Sequence, residues 1–273
     1  MLNANQTKKE SVMIEIKELQ TKKDNKLFAT FPVKLYKKCS YYVPSLRSEE
    51  LSTFDPKKNF SLKECDAKGF LCYKDGKLVG RIAGIINRTD NELTGEKSIR
   101  FSRIECIDDV NVFKALLGAV EKFGKDNGME IIHGPWGFND TDREGMLTYG
   151  FDRPATYATN YYYPYFCENM VKLGFEDESK WLEREFVLPD KPYERIVDIA
   201  KKVEEKIELT DVAITLSLKE IIKQYGAKLF ETYNQAYAPL DGFVPVDEQT
   251  EKNVLKQFAT VVNKRYISVL VDK

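Results

Sequence analysis

Residues 70–87, FLCYKDGKLVGRIAGIIN, carry the strongest local folding signal in the chain. Two apolar runs flank the dipeptide Asp75-Gly76 in this stretch. A two-residue type I′ turn needs positive φ at both central positions, which Asp and Gly tolerate, and its twist matches that of paired strands. The sequence therefore predicts an antiparallel hairpin with strands at 70–74 and 77–87.

A strand, a helix and a second strand follow this hairpin. Residues 99–106 form a strand candidate, and Asp108-Asp109 after it can cap a helix. Apolar residues then recur at three- and four-residue steps from Val112 to Phe123, and Asn127-Gly128 is typical of a helix end. A short buried strand at 129–133 completes the pattern expected of a parallel crossover.

Hydrophobic periodicity predicts the remaining elements on both sides of this core. Pro32 should bend the first helix or limit its first turn. A long polar and aromatic loop is expected at 134–160. The predicted elements are strands at 12–19, 184–188, 212–216 and 266–271, and helices at 26–36, 165–173, 196–207, 221–237 and 248–262.

Composition excludes several classes of function. The 273 residues carry a net charge of -1, so no overall basic field attracts nucleic acid or anionic lipid. Residues 1–10 lack the apolar core of a signal peptide, and no apolar run approaches the roughly 20 residues that span a bilayer. One histidine and five cysteines without a CxxC pair do not suit a metal site. We expect a cytoplasmic protein without a membrane or nucleic-acid partner.

The element order over residues 13–188 resembles the GNAT acyltransferase superfamily, and in particular bacterial proteins built from two GNAT-like halves. This resemblance implies a mixed α/β fold with a central mixed sheet flanked by helices. It also implies a GNAT-like domain at 1–188 and, at 189–273, a linker helix with the incomplete start of a second such domain. The resemblance lies in Phe70-Leu71, 75–77, 79–83, 107–109, 133–135, 142–147, Leu173-Gly174-Phe175 and 230–240.

The resemblance implies acyl-CoA-dependent N-acylation of a small-molecule or amine substrate, with acetyl-CoA as the cofactor. The first half departs from the superfamily at its phosphate loop, because residues 105–111 contain no glycine and three carboxylates. Met170 stands where the superfamily often has a tyrosine that acts as a general acid. A thioether cannot donate that proton. We therefore expect a non-catalytic first half, with acetyl transfer in the full-length protein. The alternative is a non-catalytic small-molecule-binding or scaffold module, including a homodimer formed through an open strand at 266–271.

The candidate site residues lie at the end of the predicted crossover strand and in the loop after it. His133 and Tyr161 are the catalytic candidates, His133 as a general base or a substrate hydrogen-bonding group. A structural histidine, a loop in which Arg143 neutralises Asp142, and tyrosines that only pack are the alternatives. A cysteine nucleophile beside His133 is a further one. The predicted substrate-binding residues are Trp136, Asn139, Asp142, Arg143, Glu144 and Tyr163.

Overall fold

A computed structural model describes residues 13–139, 142–187, 189–191, 193–207, 209–240, 243, 245–246 and 248–272. The chain divides into two compact units, which we call unit 1 and unit 2. Unit 1 ends at Glu176 and unit 2 begins at Asp177, while Phe243 groups with unit 1. The domain boundary at residue 188 stays a prediction.

Unit 1 is built around a five-stranded sheet with the order β1-β2-β3-β4-β5. The first four strands pair antiparallel, and β5 pairs parallel to β4. This confirms the expected mixed α/β fold with a central mixed sheet. The elements are β1 (Ile14–Glu18), α1 (Lys22–Leu35), α2 (Arg47–Ser52), β2 (Cys65–Lys74), β3 (Lys77–Asn87), α3 (Arg88–Thr94), β4 (Ser98–Cys106), α4 (Val110–Asp126), β5 (Ile131–His133) and α5 (Tyr165–Lys172).

The hairpin between β2 and β3 is confirmed, including its turn. Asp75 and Gly76 have φ angles of 49° and 74°, both in the left-handed region that a type I′ turn requires. Lys74 pairs with Lys77 across the turn. The turn chemistry therefore sets the register in which β2 and β3 meet.

Helix α1 begins four residues before the predicted start. Thr21 accepts a hydrogen bond from the Asp24 backbone N–H, and the Asp24 carboxylate accepts one from the Thr21 backbone N–H. This capping box sets the start of α1 at Lys22, whereas the apolar spacing alone indicated a start at Lys26. The helix continues through Pro32, which is buried, to Leu35.

The crossover from β4 through α4 to β5 is confirmed in detail. Asp109 is the N-cap of α4, and Gly128 follows the helix with a φ of 78°. Strand β5 then pairs with β4 from Ser98↔Ile131 to Arg100↔His133. Apolar side chains of α4 that pack against the sheet are Val112, Phe113, Leu116, Leu117 and Val120.

Strand β4 contains a β-bulge that reverses its alternation. Arg81 pairs with Glu105 and Ala83 with Ser102, so β4 has one residue more than β3 between these pairs. The extra residue lies beside Arg103, whose φ is 50°. Phe101 and Ile104, three residues apart, consequently both belong to the core cluster that contains α4.

Unit 2 is helical, with one short strand pair. Its elements are α6 (Glu194–Ile207), β6 (Thr210–Asp211), α7 (Leu218–Tyr237), α8 (Glu248–Val261) and β7 (Leu270–Val271). The predicted helices are confirmed. None of the helices in the described part of the chain is long and apolar enough to cross a membrane.

The three strands predicted in the second half of the chain are wrong or far shorter than expected. Residues 212–216 form turns because the Asp211 carboxylate accepts the Ala213 N–H and the Leu216 N–H bonds to the Val212 carbonyl. Only 270–271 of the predicted 266–271 strand is a strand, and it pairs with 210–211. Residues 184–187 form no strand, and the Phe186 and Val187 side chains are exposed.

Candidate functional site

The two faces of the sheet differ in chemistry. The face against α4 is apolar, whereas the face against α1 and α2 buries a charge network around Arg81, which is 2% exposed. The Arg81 Nε lies 2.6 Å from a Glu105 oxygen, and its Nη1 donates to the Phe28 carbonyl at 2.9 Å and to the Glu50 carboxylate. This guanidinium joins strand β4 to helices α1 and α2.

The network is electrostatically matched. Burial raises the pKa of Glu50, but Arg81 and Arg103 outweigh it, so the net pKa lies below its usual value. Burial lowers the pKa of Arg81, and Glu105 with Glu50 more than compensates. Removing one partner of such a buried pair generally costs about 3–5 kcal/mol, because a charge is left uncompensated.

Arg103, at the bulge, connects this network to the long loop. Its Nε lies 3.4 Å from a Glu50 oxygen, and its Nη2 lies 3.9 Å from an Asp142 oxygen. The other Asp142 oxygen accepts the Phe138 backbone N–H at 2.8 Å. A side chain at Gly137 would collide with Asp142, since its Cβ would lie 2.0 Å from the Asp142 Cβ. Glycine there lets Asp142 reach Arg103.

A tyrosine cluster lies next to the charge network. We use this name for Tyr36, Tyr42, Tyr161 and Tyr163. Tyr36 stacks on Tyr42 with ring centroids 4.3 Å apart and contacts Tyr161 at 5.8 Å and Tyr163 at 5.1 Å. The Tyr161 hydroxyl donates to the Phe151 carbonyl at 2.9 Å. The structure thus brings the predicted Tyr161 and Tyr163 together with two tyrosines that sequence reasoning missed.

The Tyr36 hydroxyl is the unsatisfied polar group of this cluster. Tyr36 is 2% exposed, and its hydroxyl has no hydrogen-bond partner among the described residues. Burial, followed by the charge of Glu105, raises the pKa of Tyr36 well above its ordinary value. Tyr36 is therefore a neutral phenol. The contacts of its aromatic ring with Tyr42, Tyr161 and Tyr163, and not its hydroxyl, hold it in place.

His133 and Trp136 lie together at a different buried ion pair. Their ring centroids are 4.4 Å apart, and the Arg100 guanidinium carbon lies 5.1 Å from the Trp136 ring. Arg100 is 1% exposed and donates to Asp90 at 2.7 Å and to the Gly137 carbonyl at 3.2 Å. The predicted site residues therefore fall into two groups, with Tyr161 and Tyr163 in one and His133 in the other.

The other predicted substrate-binding residues act in loop contacts. Arg143 donates to the Tyr157 carbonyl at 2.8 Å and to the Val43 carbonyl at 3.0 Å. Asn139 donates to Ser61 at 3.3 Å, and Glu144 is half-buried. Arg143 thus fastens the long loop, although its Nη2 is buried without a partner among the described residues. The ion pair expected between Arg143 and Asp142 is replaced by the contact of Asp142 with Arg103.

The start of α4 is already occupied by side chains of the chain itself. The Asp109 carboxylate accepts the Asn111 N–H at 2.9 Å and lies 2.6 Å from the Lys74 ammonium. Asp108 accepts a hydrogen bond from Asn169 at 3.2 Å. Glu105, expected at this helix start, instead pairs with Arg81 on the opposite face of the sheet, because the bulge reverses the alternation of β4.

Two backbone carbonyl groups of β4, beyond its pairing with β5, also accept hydrogen bonds from the rest of the chain. The Phe101 carbonyl accepts the Trp136 N–H at 2.9 Å, and the Cys106 carbonyl accepts the Tyr165 hydroxyl at 2.8 Å. The resemblance to GNAT proteins implies that the backbone of this edge would receive the pantetheine arm of coenzyme A, and that the helix start would receive its diphosphate. The residues present here do not fit coenzyme A in that position.

A cleft of about 660 Å³ opens elsewhere in unit 1, at the edge of β2. Its walls include Phe54, Leu62, Ala67 and Phe123, and none of the predicted site residues lines it. In the described part of the chain no three metal-ligating side chains converge on one point. The cleft combines these apolar walls with charged side chains, among them Lys122 and the ion pair of Lys68 with Glu18.

Sequence reasoning missed the residues that organise the site. Arg81 and Arg103 lie on β3 and β4, Glu50 lies on α2, and Tyr36 ends α1, so their contacts depend on tertiary packing. One signal was present, since Arg81 is a lone charge inside the apolar run 78–86. A charge in such a run needs a buried partner, and Glu105 provides it across the β3–β4 pair.

Comparison with known proteins finds curated bacterial relatives and solved structures that are similar to parts of this chain. No protein-family model matches it. Protein YghO of Escherichia coli K12 is 27% identical over 240 residues, covering 85% of this chain and 58% of YghO. The bacterial ceramide synthase of Caulobacter vibrioides is 23% identical over 250 residues, covering 91% of this chain and 64% of that protein. The chain thus spans about three fifths of the length of these relatives.

The chain is also similar to a solved structure, the ribosomal-protein-alanine N-acetyltransferase of Brucella melitensis. The match has a TM-score of 0.38 at 11% identity and covers 64% of this chain and 100% of the other. The strand order and pairing of unit 1 define its mixed α/β fold.

Proposed function

We propose that the full-length protein belongs to the acyl-CoA-dependent N-acyltransferase lineage and acylates an amine, with acetyl-CoA as the simplest donor. We further propose that unit 1 is its non-catalytic half. The similarity to the Caulobacter ceramide synthase supports amine acylation, since a ceramide is an amide of a long-chain amine. Under this proposal the acyl acceptor is an amine, and the proposal does not specify its size.

One observation carries the non-catalytic role of unit 1. Asp109 occupies the N-terminus of α4 with a carboxylate that Lys74 neutralises. A diphosphate would have to displace this carboxylate from the Asn111 N–H and approach a second acid, Asp108. Like charges a few ångströms apart repel by about 1–4 kcal/mol at a protein surface. His133 and Tyr161 then serve the packing of the loop rather than proton transfer.

Calorimetric titration of the chain with acetyl-CoA tests this proposal. We expect no binding heat up to about millimolar cofactor, which corresponds to a binding free energy weaker than about -4 kcal/mol. Micromolar binding to the unmodified chain would overturn the non-catalytic role. The variant D108N/D109N removes both charges and retains the cap oxygen, so weak binding by this variant alone identifies charge as the barrier.

A small-molecule-binding module is the second candidate, favoured by the unpartnered Tyr36 hydroxyl. Buried polar groups are nearly always hydrogen-bonded, so a small polar ligand could accept from this phenol. A binding isotherm with a small amine or carboxylic acid that is lost in Y36F and retained in Y161F would support this candidate over the acyltransferase lineage. The same isotherm in Y36F as in the unmodified chain would exclude it.

A further inference from the structure

Helix α6 in unit 2 carries an apolar stripe that no described residue covers. The helix has no buried residue. Ile196, Ile199, Val203 and Ile207 are 61%, 51%, 43% and 48% exposed. With 1.5 Å per residue, the stripe is about 17 Å long. Leaving this much aliphatic surface in water is unfavourable, so we expect another apolar surface to bind the stripe.

Exposed aromatic residues precede the stripe. Trp181, Phe186 and Tyr193 are 62%, 78% and 65% exposed. Such rings combine an apolar body with, in Trp and Tyr, a polar tip, and they are enriched where hydrocarbon meets headgroups. These three aromatic side chains therefore add exposed apolar surface to the segment before α6.

The charges of α6 are arranged around the stripe and not at random. With about 100° between successive residues, Ile196, Ile199, Val203 and Ile207 project within a sector of about 80°. Arg195, Lys202 and Lys206 form a basic row along one border of this sector, and Glu204 lies near the other border. The acidic side chains on the far side of the helix are Glu194, Asp198 and Glu205.

We propose that α6 docks this protein on an anionic lipid bilayer, with the stripe in the interface and the basic row at the headgroups. An amphipathic helix with a strongly polar far side and low overall hydrophobicity lies in this way along a membrane surface. The basic row attracts phosphate headgroups, and the acidic side chains face water. This proposal is independent of the acyltransferase function.

Charge disfavours a second copy of the chain that packs its α6 antiparallel on the stripe. In an antiparallel pair of α6 helices, the two basic rows would meet across the interface and repel each other. On a bilayer the same row faces opposite charge. The net charge of -1 gave no reason to expect a membrane partner, but attraction to a surface acts within about 10 Å and depends on the local row.

Vesicle co-sedimentation of the 273-residue chain tests the proposal. The probe is a phosphatidylcholine vesicle containing about one third phosphatidylglycerol, compared with pure phosphatidylcholine. We expect binding to the anionic vesicle that falls as salt rises. I199E should lower the partition coefficient at least about tenfold, and K202Q/K206Q about thirtyfold, at roughly fivefold for each lysine. Because these side chains are exposed, the variants should keep the circular dichroism of the unmodified chain.

Matched controls make the outcome decisive. I214E places the same change at an exposed isoleucine outside α6, and K201Q/K219Q removes the same charge away from the basic row. Both should bind as the unmodified chain does. No sedimentation with anionic vesicles, or equal losses in the controls, would overturn the proposal. A dimer in lipid-free solution that I199E converts to monomer would also overturn it, by showing that a second copy covers the stripe.

Discussion

The Lys74 ammonium lies 2.6 Å from one oxygen of Asp109, and the other Asp109 oxygen accepts the Asn111 N–H at 2.9 Å. One carboxylate thus joins the β2–β3 hairpin to the start of α4. The same carboxylate caps the helix and pairs with the hairpin, so a single residue contributes to both local contacts. Under the function proposed above, it also stands where the diphosphate of a cofactor would bind.

Asp109→Ala should destabilise the chain by about 1 kcal/mol, because the N-cap acceptor is lost. Asp109→Asn keeps a side-chain oxygen for the Asn111 N–H and should cost less. Urea unfolding of the two variants measures the difference. An unchanged midpoint for Asp109→Ala would show that water replaces the cap at no cost.

The contribution of Asp109 should vanish in acid. The hydrogen bond from Lys74 lowers the pKa of Asp109 below its ordinary value, and burial opposes this only in part. A depressed folded-state pKa stabilises the fold above the unfolded pKa of about 3.9, and the benefit is lost as pH falls through the folded pKa. The difference in melting temperature between the unmodified chain and Asp109→Asn should therefore shrink as pH falls below the unfolded pKa of about 3.9. A constant difference across this range would contradict the assignment.

Lys74 should show the opposite dependence. The hydrogen bond to Asp109 raises the pKa of Lys74. A raised folded-state pKa stabilises the fold below the unfolded pKa of about 10.4, and this is lost as pH rises through the folded pKa. The difference in melting temperature between the unmodified chain and Lys74→Met should shrink above about pH 10.5. A difference that grows in alkali would rule out this ion pair.

Arg81→Met should be among the most damaging single changes, at about 3–5 kcal/mol, because Glu50 and Glu105 lose their common partner inside the protein. The control is Lys97→Met, which breaks the exposed pair with Glu130 and should leave the urea midpoint unchanged. Arg81→Met/Glu105→Gln should recover part of the loss. Full additivity of the two substitutions would argue against a coupled network.

Tyr36→Phe and Tyr161→Phe should differ although both remove one buried hydroxyl. Tyr161→Phe loses the bond to the Phe151 carbonyl and should cost about 1 kcal/mol. Tyr36→Phe removes a hydroxyl without a partner in the described structure and should be neutral or stabilising. Urea unfolding of the pair measures this. A loss for Tyr36→Phe as large as that for Tyr161→Phe would reveal a ligand or water bound at Tyr36.

The parts of the fold that sequence predicted are those set by local chemistry. The Asp75-Gly76 turn and the helix end before Gly128 depend on backbone angles that few residues adopt, so their sequences identify them. The strands predicted at 184–188 and 212–216 failed because apolar alternation supplies no partner strand. At 212–216 the Asp211 carboxylate takes a backbone N–H that a strand would need.

The candidate site was harder to predict because its geometry is nonlocal. The loop after His133 was predicted to form a polar pocket or to pack tightly, and the structure shows that it brings Asp142 to Arg103. Arg81, Glu50 and Glu105 lie far apart in sequence and meet only when α2 packs on the sheet. One sequence alone does not show which residues distant along the chain come into contact.

The bulge in β4 sets how this strand can change length. Loss of one residue between Phe101 and Ile104 would restore simple alternation and swing Glu105 toward Leu116, into hydrocarbon with no guanidinium to meet it. A gain of one residue elsewhere in the strand would do comparable harm. Insertions and deletions are thus expected in the loops around this strand, while β4 itself must keep the extra residue of its bulge.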